Sequence, residues 1–395
     1  MPEAPDHLLR QALVSDSPVA NVETLIRDYP DLPQQVGTAW AGGFSTDHIP
    51  PVVARLLVDR GAPLSIHAAA AFGFTDYLAD MLRADPALVH APGGDGCTPL
   101  HFARDVATAE LLLHNGADVH ARDEDHDSTP AQWRIGKSPA VSRCLLDYGA
   151  APDIFLAAAL GDIALAERLI HENPNCPAHR IGRLPEFPPI GHRGRGGTIL
   201  QWTLAFNSYP HQIALLKGHQ NLFDLLYEKS DARTRLLVCC VLARREEAEV
   251  IAGVFPEMVA GLPAADLELL PRYCWETNLN YEAVRLMLDL GFPVAHTERS
   301  HGYSPLHNAA WAGHAALVDL LISRGHPVDL VDPGYNATPL GYALHDCLVE
   351  KRHPEGDFPA VVESLLRAGS PLSPSAYPTG DPRLDEIISR YVSAA

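Results

Sequence analysis

Residues able to do chemistry are plentiful in this chain but scattered. Twenty histidines raise a metal or acid–base reading, yet no HExxH, CxxC or paired-carboxylate spacing occurs, so the sequence offers no warrant for a metal site or a cofactor. The seven cysteines are odd in number, and Cys239 and Cys240 are adjacent rather than spaced as ligands. They read as reduced, buried side chains. A more positive signal lies between 179 and 197, where Arg180, Arg183, Arg193 and Arg195 face one acid, Glu186, in a chain of formal charge −19. Arginine forks hold a carboxylate or phosphate by parallel hydrogen bonds. Glycines flank Arg193 and Arg195, and they would let backbone N–H groups approach an anion. With Trp202 as a flat apolar wall, this is a candidate anion site. A solvated loop is the competing reading, since GxxxxGK[ST] is absent.

The elements that must position such residues are helices. A Leu-Leu-like pair followed three or four residues later by Gly or Pro recurs along the chain, and that pattern marks a helix end. Gly61, Gly116, Gly149, Gly291, Gly325 and Gly369 stand where a left-handed residue closes the helix. Pro30, Pro86 and Pro174 end others by removing a donor and clashing with the preceding turn. Clean intervals of 33 residues (Leu112 to Leu145) and 34 residues (Met287 to Leu321) separate these ends. A period near 33 selects one helical repeat among those known.

Each unit opens with a related segment: TPLHFA from Thr98, TPAQW from Thr129, SPLHNAAWAGH from Ser304 and TPLGYA from Thr338, with weaker copies from Ile66, Leu156 and Tyr209. These segments resemble the TPLHxAAxxGH signature of the ankyrin-repeat family. Thr or Ser can cap the first helix and Pro suits its first turn. The resemblance implies an all-α ankyrin-repeat solenoid, helix-turn-helix units with short β-hairpin-like fingers, in about ten to eleven repeats, several of them degenerate. The expected organisation is one array over 1–395. It comprises N-terminal repeats at 20–175, the basic Gly/Pro-rich insertion at 177–197, C-terminal repeats at 198–375 with a second insertion near 345–357, and a C-terminal cap at 376–395.

The resemblance also gives structural roles to His101 and His307, where an imidazole bridges neighbouring backbone turns, and by position to His67, His219 and His314. Phe102, Trp133 and Tyr342 follow the motif His position. Trp202 joins them if TILQW from Thr198 is a degenerate start. The residues before the motif Gly face the groove in this family, here Phe72, Leu160, Lys217, Trp311 and Ala312, and large apolar ones among them are candidates for a partner-binding patch. Tyr303 and Tyr335 fall at exposed finger tips, where the family commonly contacts partners.

The net charge disfavours non-specific binding to nucleic acid or an anionic membrane. The N-terminus carries no signal-peptide core and no long apolar run occurs, so the expectation is a cytoplasmic protein. As in ankyrin proteins generally, the leading function is non-catalytic binding of a protein partner through the groove and fingers. The alternative is an enzyme or small-molecule binder, with an anionic ligand held in the groove under the insertions by Arg193, Arg195, Trp202, His345 or Asp346.

Overall fold

The computed structural model describes residues 5–44, 46–182, 197–275, 279–298, 302–373 and 376–392. All regular structure among them is helical. The chain divides into two compact units, residues 1–230 and 231–395, so the first insertion lies inside the first unit and the division follows it. No helix among the described residues is long and apolar enough to cross a membrane.

In the first unit the motif segments form short first helices at Ile66–Phe72, Pro99–Phe102, Pro130–Arg134, Ile154–Leu160 and Pro210–Leu216. Second helices run back at Thr75–Ala84, Val106–His114, Pro139–Asp147, Ile163–Glu172 and Gln220–Lys229. First helices pack on neighbouring first helices and second on second, because neither can bury its apolar stripe alone. In each Leu pair one member is sealed: Leu57, Leu112 and Leu145 are fully buried. The six glycines that end helices all hold φ between 83° and 96°, the left-handed conformation that the repeat requires.

In the second unit Ala232–Val241 pairs with Arg245–Val254, and the short Ala264–Leu267 and Leu269–Arg272 precede Tyr281–Asp289. The regular repeats Pro305–Trp311 with Ala315–Ser323, and Pro339–His345 with Phe358–Arg367, complete it. The amphipathic helix Pro382–Val392 covers Phe358–Arg367, burying Leu384 and Ile388.

One reading of the sequence needs correction. TILQW does not begin a repeat: Gln201–Ala205 forms a single wide turn, and the next first helix starts at Pro210. Trp202 is 73% exposed instead of wedged between repeats.

Candidate functional site

The fingers share a construction. Asp123 and Asp332 are sealed carboxylates, 0% and 1% exposed. Asp123 accepts the backbone N–H groups of His126 (2.6 Å) and Ser128 (2.8 Å). Asp332 accepts those of Gly334 (2.8 Å), Tyr335 (2.7 Å) and Ala337 (3.2 Å). In each finger the backbone N–H of the first residue donates to the carbonyl five positions on. The fifth residue, Asp127 or Asn336, takes φ near +50°. The loop from Glu298 to Tyr303 repeats the backbone bond, with Gly302 at φ 77° and Glu298 paired to Arg272 at 3.1 Å.

The motif histidines lock these fingers to the first helices. His101 Nδ1 accepts the Thr98 N–H at 3.0 Å while its Nε2 donates to the Ser128 carbonyl at 3.2 Å. His307 accepts from Ser304 and donates to the Ala337 carbonyl at 3.2 Å. His67 Nε2 donates to the Ala91 carbonyl at 2.8 Å. Burial holds all three neutral, pushing His101 down to about 4 and lowering His67 and His307. Gln132 takes the imidazole's place in the third repeat, its Oε1 accepting the Thr129 N–H at 3.0 Å.

Four sequence candidates converge in the second unit. Tyr303, Trp311, Tyr335 and His345 line one cleft of about 450 Å³ together with Trp275, Tyr342, Glu350 and Arg352. The rings of Trp275, Tyr303 and Tyr335 lie nearly parallel, with centroids 6.3 and 6.5 Å apart. Tyr342 meets Tyr303 and Trp311 edge-on, each at 5.8 Å. His345 stacks on Trp311 at 6.1 Å and approaches Glu350 at 3.4 Å. Arg352 pairs with Glu350 at 2.5 Å and lies over Trp311 at 6.0 Å. The Tyr342 hydroxyl is buried beside Asp332 and Tyr303. Burial first, then the nearby Asp332 charge, raises its pKa. Burial likewise pushes Tyr303 up to about 12. Tyr335 is 73% exposed, as a finger tip should be, but Tyr303 is half-buried among its neighbours rather than exposed.

The remaining candidates fall elsewhere. Phe72 is not on an open groove face: it is 2% exposed, edge-on to Trp40 at 4.9 Å and stacked on Phe74 at 5.4 Å, because its helix turns that position into the core. Ala312 is buried too. Leu160 is partly exposed. Asp346 is fully buried and accepts the backbone N–H groups of Arg352 and His353 and the His353 ring. It shapes the second insertion, in which Pro339–His345 runs into a wider turn, Asp346–Glu350, stopped by Lys351 at φ 55°. Arg193 and Arg195 lie outside the described residues. Arg180 is 1% exposed, lies over Tyr209 at 5.5 Å and donates to Asn207, so it anchors the insertion rather than offering charge to solvent.

Both arms of that insertion are pinned. Ile181 and Asn207–Ser208 exchange two backbone bonds of 3.0 and 3.1 Å. The returning arm folds back onto the repeat at 126–136: His126 Nδ1 donates to the Gly197 carbonyl at 2.8 Å and Thr203 Oγ1 to the Gln132 carbonyl at 3.2 Å. A Cβ at Gly136 would lie 2.3 Å from the Thr203 carbonyl oxygen, which is why glycine stands there. This arm forms one wall of a second cleft, about 650 Å³, otherwise lined by Phe44, Phe102, Trp133 and the cations Arg104, Arg134 and Lys137. Sequence reasoning missed those cations. Their signal was position, at or just past the end of the motif first helix in two successive repeats. Nearby, Asp95, Asp125 and His126 bring ligand atoms within 4.8 Å of one another, with His126 Nε2 facing Asp125 at 3.6 Å.

An ankyrin-repeat family model matches residues 95–124, and a second, for ankyrin repeats in many copies, matches residues 280–322. No curated protein matches. Among solved structures the crystal structure of the human ASB11 ankyrin repeat domain is similar at 19% identity over 79% of this chain and 100% of that one, with a TM-score of 0.27, a value that carries no weight here. Ankyrin repeats generally serve as protein–protein interaction modules. With a matched segment in each unit, carrying Asp123 in one and Ser304 and His307 in the other, the chain carries ankyrin repeats in both.

Proposed function

We propose that the chain is an interaction protein that takes a segment of a protein partner into the aromatic cleft of its second unit. The observation that carries this reading is the convergence of Trp275, Tyr303, Trp311, Tyr335 and Tyr342 on one cleft with an exposed lip at Tyr335. Tyr and Trp dominate binding energy at interfaces because they bury large area at small entropic cost. The charged residues at the rim, Glu350 and Arg352, already satisfy each other, so the cleft offers apolar faces rather than a net charge. A partner inserting an apolar or aromatic side chain would complete the ring stack. Peptides selected from a random display library on the full chain test the reading. Trp311→Ala and Tyr335→Ala should each weaken the selected peptides about tenfold or more. Peptides that bind both variants as well as the parent would refute it.

A further inference from the structure

The cleft of the first unit has the opposite character, and nothing in the partner-binding reading uses it. Three cations, Arg104, Arg134 and Lys137, and one carboxylate, Asp47, line it, in a protein with 49 acidic and 30 basic residues. Lys137 is paired with Asp47. Arg104 and Arg134 make no side-chain hydrogen bond or ion pair with any described residue, and Arg134 Nε is buried without a partner. An arginine stays charged in a protein, and a charge taken from water without a partner is costly. Arg134 is half-buried with the like charge of Arg104 nearby. Burial first, offset in part by Asp47 and reinforced by Arg104, lowers its pKa from the usual value. An anion between the two guanidinium groups would relieve both.

The rest of the cleft suggests what carries the anion. Phe44, Phe102 and Trp133 form a contiguous wall with centroids 5.3 to 6.1 Å apart. Trp133 is fixed by its Nε1–H bond to Asp123 at 3.1 Å. Trp202 stands opposite on the pinned arm, 73% exposed, a large apolar side chain left in water although its own segment is held in place. The volume of about 650 Å³ falls within the range of roughly 300–1,000 Å³ found for small-molecule sites. We infer that this cleft is a binding site for a small molecule bearing one carboxylate or phosphate on a flat aromatic body, the anion held by Arg104 and Arg134 and the ring by Trp133 and Trp202.

Calorimetric titration of the full chain with phenyl phosphate, benzoate, inorganic phosphate and benzylamine tests this. Phenyl phosphate and benzoate should bind and raise the Tm, inorganic phosphate should bind more weakly, and benzylamine should not bind. Arg104→Gln and Arg134→Gln should each lower affinity for phenyl phosphate about tenfold or more, the loss of one charge-assisted hydrogen bond. Trp202→Ala should weaken phenyl phosphate while leaving inorganic phosphate unchanged. Arg134→Gln should keep or raise the Tm of the unliganded chain, since it removes an unpaired charge. Should that variant not fold, Arg104→Gln carries the test, because Arg104 is exposed. The inference is overturned if neither aromatic anion binds, if benzylamine binds as well as benzoate, or if both arginine variants bind like the parent.

Discussion

The two clefts share one repeat position, the residue after the motif His, and are otherwise lined by different chemistry from different positions. Trp133 and Tyr342 each follow the motif His position. Each stands over a sealed finger carboxylate, with Trp133 bonded to Asp123 and Tyr342 raised in pKa by burial and the nearby Asp332. In the first unit the surrounding positions carry Arg104, Arg134 and Lys137. In the second the lining comes from other positions and is aromatic: Trp275, Tyr303 and Tyr335. The scaffold decides where a side chain stands, and the side chain decides what the place can hold. Fold alone therefore cannot assign the function of either cleft.

If the finger carboxylate is the shared foundation, removing it is the largest perturbation. Asp123→Ala and Asp332→Ala each strip finger backbone N–H groups of their sealed acceptor and should cost about 2–4 kcal/mol in denaturant melts. A loss within experimental error at either position would break the comparison, because the two clefts would then rest on different supports.

A smaller effect separates structure from recognition inside the aromatic cleft. Tyr303 packs against three rings, and Tyr303→Ala should cost about 1–3 kcal/mol of stability. Tyr335 is largely in water, and Tyr335→Ala should stay within about 0.5 kcal/mol. Both should weaken a bound peptide. Equal stability losses would mean that Tyr335 belongs to the core and the cleft has no open lip.

The response to pH tests the histidine lock that both fingers share. His101 titrates near 6.5 when unfolded but only near 4 when folded, because burial opposes its charge. The unfolded chain therefore binds protons first, and stability falls as pH drops from 6.5 towards about 4, with no contribution from this group above that window. Gln132 already fills the equivalent place, so His101→Gln should fold and show a shallower loss of stability with acid than the parent. An identical slope would mean that other groups govern the acid response.

The repeat frame was legible because it is periodic: helix-ending glycines and Thr-Pro or Ser-Pro caps recur with the spacing that local backbone geometry demands. The aromatic candidates Tyr303, Trp311 and Tyr335 were legible for the same reason. Trp275 was not, since it sits where the motif is degenerate. Asp123 and Asp332 resembled ordinary turn formers, because several N–H donors meeting at one carboxylate leave no trace in composition. The arginines that look conspicuous in sequence misled in part. Arg180 is spent on Tyr209 and Asn207, whereas Arg104 and Arg134 come together only when two repeats stack. Phe72 was assigned to the groove from its register alone, which cannot show that Trp40 and Phe74 close over it.

The chain's five tryptophans report on both clefts at once: Trp40 is sealed in the core, Trp133 and Trp202 line the first cleft, and Trp275 and Trp311 line the second. The most direct measurement of distinct chemistries on one repeat frame is the movement of the five indole N–H resonances of the full chain. They would be followed on adding phenyl phosphate and, separately, a library-selected peptide. The account predicts that phenyl phosphate moves Trp133 and Trp202 alone, that the peptide moves Trp275 and Trp311 alone, and that Trp40 stays fixed. Both additions moving the same pair, or the peptide moving Trp133 and Trp202, would contradict it.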